Sequence, residues 1–303
     1  MWFKNLSIYR LSNPFTHTAS ELDEKLAEKV FHSVGKHDLS SMGWTEPLGR
    51  NGKTLSHTTN GYTMLCLRHE QKILPAPAIK ELVDARAEEL EENEARKVRG
   101  KERLELKEQV ISEMVPRAFS RSSRTFAYID CKRGWLIVDA ASAKKAEEFI
   151  SFLRESLGSF PATPISMVSA PSSTMTSWLA KGVVPSQFEF DNECELRDEK
   201  DEGGIVKIRK QSLISDEIDI HLKAGKAVTR LALTFDERIS FVLDENMGIK
   251  RVRFLDVIQE EAMDVVAESA VERFDSDFAI MTLEYNRFLP ALYEALGGLA
   301  EQK

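Results

Sequence analysis

The sequence predicts an α+β fold, on three observations. Strand-like segments in the C-terminal third follow one another through short turns, as in a meander. Helical patterns fall between groups of strands rather than after each strand, which argues against a doubly wound βαβ arrangement. The composition, 42% apolar and 30% charged over 303 residues, is that of a globular chain able to bury a core without disulfides or metals.

The elements follow in order. Phe3 to Leu11 reads as a strand running into a turn at Asn13-Pro14. Leu22, Leu26, Val30 and Phe31 repeat at helical spacing, so Ser20 to Phe31 reads as an amphipathic helix with Ser20 as its N-cap. A loop rich in Gly, Ser and Thr runs to Asn60-Gly61, and Tyr62 to Leu67 is strand-like. After the break at Leu74-Pro75-Ala76-Pro77, a charged helical pattern extends from Ile79 to about Arg99, with Gly100 as its stop. A second helical run ends at Pro116, so the two form an αα-hairpin. The first of these helices is acidic in its middle and poor in large apolar residues, which suits a projection better than a core.

Thr125 to Asp130 and Trp135 to Asp139 flank Cys131-Lys132-Arg133-Gly134 as a hairpin. Ser142 to Leu157 is a helix capped by Ser142 and stopped by Gly158. The Pro/Ser/Thr-rich stretch to Ser173 is the candidate linker, and a short helix covers Thr174 to Lys181. Strands are expected at 188–196, 205–210, 227–235, 239–243 and 249–254, with a turn at Asp236-Glu237-Arg238 and a helix near 215–223. Helices at about 256–270 and 277–296 close the chain.

Several classes are set aside by composition. Cys66, Cys131 and Cys194 are odd in number and far apart, with no CxxC, so neither a disulfide framework nor a zinc ribbon is encoded. Reduced thiols and an N-terminus without a basic-then-apolar leader suggest a cytoplasmic protein. The uncharged stretch from Ser156 to Ala180 carries Pro161, Pro164 and Pro171, which is not the pattern of a membrane span.

The net charge of -8 conceals an asymmetry. From Ala95 to Lys145, thirteen basic residues face six acidic ones, a local net of +7. The last fifty residues hold eleven acids against Arg273, Arg287 and Lys303, and Glu189 to Glu202 is a further acidic block. Such basic runs are commonly solvated faces. The segment Arg117-Ala118-Phe119-Ser120-Arg121-Ser122-Ser123-Arg124 is different in kind: guanidiniums and hydroxyls suit phosphates, and one large aromatic suits a partner-facing anchor.

Catalytic and cofactor motifs fail. Gly49-Arg50-Asn51-Gly52-Lys53-Thr54 approaches a P-loop, but Pro47 occupies the first glycine position. His32 and His37 lack an HExxH context, His69-Glu70 is an isolated pair, and no GxSxG occurs. No carboxylate spacing marks a metal cluster. The residues therefore favour binding over catalysis, with no cofactor and no metal expected.

Longer blocks carry a resemblance. Trp2-Phe3-Lys4-Asn5-Leu6 with Tyr9-Arg10-Leu11, Met42-Gly43-Trp44, Lys72-Ile73-Leu74-Pro75, Pro116-Arg117-Ala118-Phe119-Ser120-Arg121, Ala141-Ser142-Ala143-Lys144-Lys145-Ala146-Glu147 and Arg273-Phe274-Asp275-Ser276-Asp277-Phe278 occur in this order over essentially the whole chain. In them the sequence resembles the bacterial recombination-associated RdgC family. The resemblance implies a non-enzymatic, cytoplasmic, nucleoid-associated protein that binds double-stranded DNA with little sequence preference. It implies a ring-shaped homodimer that encircles DNA and restrains RecA-promoted strand exchange, and it leaves single-stranded DNA open as a further ligand.

The family architecture also implies a partition. Residues 1–76 with 117–165 would form a central mixed body, 77–116 a helical tip, and 166–303 a base. Phe119 matches the family's tip-interface aromatic, and Lys210 and Gln211 match its base-interface pair; together these would gate the ring. Arg117, Arg121, Arg124, Lys144, Lys145 and Lys226 are the DNA-contact candidates, from their charge and the matching blocks. Two other classes compete: a protein-interaction module acting on RecA directly with incidental DNA contact, and a nuclease using scattered carboxylates with Mg²⁺.

Overall fold

The computed structural model describes residues 2–198 and 204–300. In chain order the first elements are β1 Leu6–Leu11, α1 Ala19–Ala27, β2 Ser40–Thr45, β3 Ser56–Thr59 and β4 Tyr62–Lys72. Next come α2 Ala76–Glu94, α3 Gly100–Met114, β5 Ser120–Asp130, β6 Trp135–Asp139, α4 Ala143–Leu157, β7 Ala162–Pro164 and α5 Pro171–Lys181. The remainder is β8 Phe188–Asp198, β9 Ile205–Arg209, α6 Asp216–Lys223, β10 Lys226–Phe235, β11 Ile239–Asp244, β12 Ile249–Phe254, α7 Asp256–Asp264 and α8 Ala270–Ala295. Among the described residues this is a mixed architecture of eight helices and twelve antiparallel strands. The chain divides into two compact units, one of Met1–Leu26, Glu46–Leu65 and Thr125–Lys303, the other of Ala27–Thr45 and Cys66–Arg124.

The first unit is a long antiparallel sheet with helices packed on it. From β5 its strand order is β5-β6-β1-β12-β11-β10-β8-β9, and β7 adds to β1. The β5–β6 hairpin closes as its sequence demands. The Asp130 carboxylate accepts from the Lys132 and Arg133 amides at 3.0 Å each, and Gly134 supplies the left-handed φ of +67°. Helix α4 likewise begins on Ser142, whose hydroxyl accepts from the Lys145 amide, and ends on left-handed Gly158. The core forms where α8 lies on the sheet. Phe278, Met281, Tyr285, Phe288 and Leu292 are buried together with Leu231, Leu233, Phe241 and Leu243. Phe241 and Phe288 meet edge to face at 4.7 Å, and the Tyr285 hydroxyl donates to the Phe3 carbonyl at 2.9 Å. Burial pushes the Tyr285 hydroxyl's pKa well above its ordinary value, so it stays a neutral donor.

The second unit joins a small sheet to a helical hairpin. β2 pairs with the distal half of β4, Ser40 opposite Gln71 and Thr45 opposite Cys66. The segment before β2 folds back onto it: the Trp44 amide donates to the Lys29 carbonyl at 2.9 Å, and the Phe31 amide to the Trp44 carbonyl at 2.8 Å. Trp44 is fully buried. Gly43 permits this approach, because a Cβ there would stand 2.5 Å from the Phe31 nitrogen. Gly43→Ala is therefore expected to cost about 1–3 kcal/mol through overpacking against backbone, read as a lowered denaturant midpoint. Gly100→Ala, with nothing within 4 Å of the new methyl, serves as the control expected to show no loss.

The structure revises several expectations. Helix α1 has its cap two residues earlier than expected, at Thr18, and stops at Ala27 rather than Phe31. The Thr18 hydroxyl accepts from the Glu21 amide and the Glu21 carboxylate accepts from the Thr18 amide, a reciprocal arrangement that Ser20 cannot make from inside the helix. The Gly/Ser/Thr-rich loop before Asn60 contains β2 and β3, ordered by pairing with β4 rather than by their own propensity. Gly100 opens α3 instead of stopping α2, which ends on left-handed Ala95. The acidic helix does build a core: Ile79, Val83 and Ala87 recur every four residues and pack with Leu106 and Val110 of α3. The expected linker contains β7 and the start of α5. Helix α7 stops at Asp264, and α8 begins at Ala270 on a Ser269 cap. Residues 199–203 of the acidic block, and Lys303, lie outside the described residues.

Candidate nucleic-acid interface

In the second unit, α3 runs through a 3-10 turn, Val115–Arg117, directly into β5. Proline at position 116 ends the helix and turns the chain, so the Arg117–Arg124 run emerges at the surface. Arg117, Arg121 and Arg124 are all exposed, and neither Arg121 nor Arg124 is held in an ion pair among the described residues. Phe119 is 84% exposed, so its ring serves no core within the chain. Its carbonyl accepts from the Ile73 amide at 2.7 Å, and the neighbouring Lys72 amide donates to the Leu39 carbonyl at 2.8 Å. Leu39, Ile73 and Phe119, all exposed, thus lie on adjoining backbone.

Strand alternation divides the block. Arg121 and Ser123 point to one face; Ser120, Ser122 and Arg124 point to the other. Two of the three hydroxyls are already engaged. Ser120 donates to the Glu70 carboxylate at 2.5 Å, holding that carboxyl below its ordinary range, and Ser122 accepts from the Arg68 Nε at 2.8 Å. Arg68 also lies 4.2 Å over the Phe31 ring. It is a cation on this surface that sequence reasoning did not single out; its signal was the break in apolar character after Leu67. Much of the hairpin's positive charge is internally neutralised. Arg86 forks onto Glu113, Arg96 onto Glu102, and Arg103 meets Asp84. Arg96 draws the Glu102 carboxyl down to about 2.

In the first unit, Lys144 and Lys145 occupy the opening turn of α4, where their charge adds to the positive end of the helix dipole. Lys144 is exposed and Lys145 half-buried. Burial pushes the nearby Asp139 carboxyl up, against hydrogen bonds from the Asn5 and Lys4 amides at 2.9 and 3.1 Å and the opposing pull of Lys145. Lys210 and Gln211, both exposed, follow β9. Lys210 takes a left-handed φ of +59° while its amide donates to the Asn192 carbonyl at 2.8 Å. Lys226 is spent locally: its ammonium donates to the Gly204 carbonyl at 3.1 Å and lies 3.8 Å from Asp198, binding the β8–β9 hairpin to β10. Thus Arg117, Phe119, Arg121 and Arg124 form one run, Lys144–Lys145 a second site and Lys210–Gln211 a third.

The P-loop-like segment forms a 3-10 turn, Gly49–Asn51, and leads to β3 rather than into a helix. Among the described residues, no three His, Cys, Asp or Glu side chains gather as metal ligands. No helix among them is long and apolar enough to cross a membrane.

The family model described as "Putative exonuclease, RdgC" matches residues 1–299. The chain belongs to the RdgC family. A "Recombination-associated protein RdgC" of Aeromonas hydrophila is 42% identical over 298 residues, covering 98% of each chain. Proteins of the same name from Salmonella paratyphi B and Salmonella typhi are 42% identical over 302 residues, covering 100% of each. The membership agrees with the resemblance carried by the short blocks. The RdgC blocks also sit at structurally constrained points: Met42-Gly43-Trp44 at the close backbone approach, Pro116–Arg121 at the helix-to-strand turn, and Ala141–Glu147 at the α4 cap.

Proposed function

We propose that this chain is a sequence-independent double-stranded DNA-binding protein that encircles DNA as a ring-shaped homodimer and restrains RecA-promoted recombination. The observation that carries the reading is the exposed Arg117–Arg124 run, whose guanidiniums have no ion pair among the described residues, around an 84% exposed phenylalanine. Guanidiniums on phosphates give affinity without a base code. An exposed aromatic amid polar residues is suited to anchor a second copy. In this reading 77–116 is the tip, 166–303 the base, and 1–76 with 117–165 the body. Phe119, Lys210 and Gln211 then govern closure, because once one contact holds two protomers the second forms intramolecularly. The protein acts without catalysis, in the cytoplasm, on the nucleoid.

The test is anisotropy of two unrelated labelled duplexes titrated at several salt concentrations. Equal affinities are expected, falling steeply with salt. Arg121→Ala is expected to reduce the slope of log K against log salt by about 0.9, the value for one phosphate contact removed. Absence of binding at low salt overturns the reading.

The family description favours a second reading, exonuclease action. Incubation of linear and circular DNA with Mg²⁺ decides it: nucleotide release from ends establishes the nuclease and removes the non-catalytic proposal. A direct RecA contact is separated by pull-down after nuclease treatment.

A further inference from the structure

The connection between α7 and α8 carries a surface of mixed acidic and apolar make-up, all of it in the first unit. From Asp256 to Glu272 the chain has six acidic residues and no basic one. Among them stand apolar side chains that the fold does not cover. Helix α7 buries Ile258 and Ala262, four residues apart on its inner face. Beyond them Met263, Val265, Val266 and Val271 are exposed, Met263 to 70% and Val266 to 90%. Single exposed apolar residues are ordinary. Four within nine residues, set amid charge, form the kind of patch that marks a contact site.

The backbone under the patch is held in place. The Ser269 hydroxyl accepts from the Glu272 amide at 3.1 Å, and the Glu272 carboxylate accepts from the Glu268 amide at 2.9 Å. Arg273, in the first turn of α8, lies 3.7 Å from Asp277 and donates from Nη1 to the Val265 carbonyl at 3.4 Å. The apolar side chains are thus presented outward on a fixed backbone, which lowers the ordering cost of binding. The acids are equally available. Glu261 is engaged by Arg238 at 3.1 Å. Asp256, Glu260, Asp264, Glu268 and Glu272 are exposed and have no ion pair among the described residues.

We propose that this acidic, apolar connection is a docking surface for a cationic amphipathic segment of a partner protein, one that sets apolar side chains among lysines or arginines. Charge complementarity names the occupant. The carboxylates repel phosphates, which sets nucleic acid and anionic lipid aside, and they attract ammonium and guanidinium groups. The apolar side chains supply the desolvated centre and the carboxylates the rim, the usual anatomy of a protein contact. A methionine in the patch adapts its shape to what it meets. The surface lies in the other unit from the basic Arg117–Arg124 run, and the proposal does not rest on the DNA-binding reading.

The test uses the full-length protein without DNA and three fluorescent peptides: an amphipathic helix former of leucine and lysine, its scrambled isomer, and the first pattern with glutamate in place of lysine. Anisotropy is expected to show binding of the first alone, weakening as salt rises. Val266→Ser is expected to weaken it about tenfold, the effect of one apolar anchor lost. Asp264→Asn is expected to weaken it about threefold and to flatten its salt dependence. Neither change should move the melting temperature, because both side chains are exposed. Equal binding of the scrambled isomer reduces the patch to diffuse charge and overturns the proposal. Binding of the glutamate peptide, or no binding of any, overturns it as well. So does lysine-peptide affinity unchanged in both variants, which places the peptide on other acids. A fall in sedimentation mass on Val266→Ser, without peptide, gives the patch to a second copy and also overturns it. Duplex binding is scored separately: its loss removes the DNA reading and leaves the docking surface standing.

Discussion

Arg238→Ala is expected to destabilise the protein by about 3 kcal/mol, the low end of the cost of stripping one partner from a buried ion pair. Arg238 stands in the turn between β10 and β11 and forks onto Glu284 of α8, at 2.9 and 3.0 Å. The Glu284 side chain is only 2% exposed. Without the guanidinium its charge has no solvent to retreat to, and the longer contact from Arg287, at 3.5 Å, compensates in part. The pair thus fastens the helix that covers the core to the sheet beneath it. Urea denaturation checks this: the midpoint should fall with the m-value unchanged. Replacing both residues with leucine should recover most of the loss, since apolar pairs of similar volume often match a buried ion pair. A single variant within about 0.5 kcal/mol of the parent, the range of ordinary surface changes, shows that Glu284 is hydrated.

Phe119→Ala is expected to leave the folded chain as stable as before and to break self-association. An 84% exposed ring contributes little to its own fold. As the anchor of a contact between copies it would contribute about 2–4 kcal/mol, roughly a 30- to 1,000-fold change in that equilibrium. Thermal unfolding of the folded chain should be unaltered, while sedimentation shows a shift to smaller mass or, where the other contact holds the pair, a dissociation experiment shows faster release from circular DNA. Lys210→Ala is expected to lower retention on the same circles. Equal masses and release rates in both variants count against the gate and leave Phe119 an unexplained exposed aromatic.

Elements whose signals are local were readable. The β5–β6 hairpin follows from Asp130 and Gly134, and α4 from Ser142 and Gly158, because each cap or turn is built by residues a few positions apart. Elements stabilised from a distance were not. Ser40–Thr45 has no strand-like run of its own; it is ordered by β4 on one side and by the Lys29–Phe31 backbone on the other. Gly100 is a good stop by composition, yet the geometry of the α2–α3 connection places the left-handed turn at Ala95. For the candidate interface, the Arg117–Arg124 block stood out by composition. That Ser120 and Ser122 are taken by Glu70 and Arg68, and Lys226 by Gly204, depends on pairings between residues far apart in the chain.

By itself the sequence determined the class, the order of most elements and, through its ordered blocks, the family, because composition, periodicity and capping are short-range properties of the chain. The tertiary structure alone decided which charges remain available. Arg86, Arg96, Arg103 and Lys226 are neutralised by acids that folding brings to them, while Arg121 and Arg124 meet no acid among the described residues. The strength of a charge pair falls with distance, and distance across a sheet is set by strand register, which no local pattern of residues specifies.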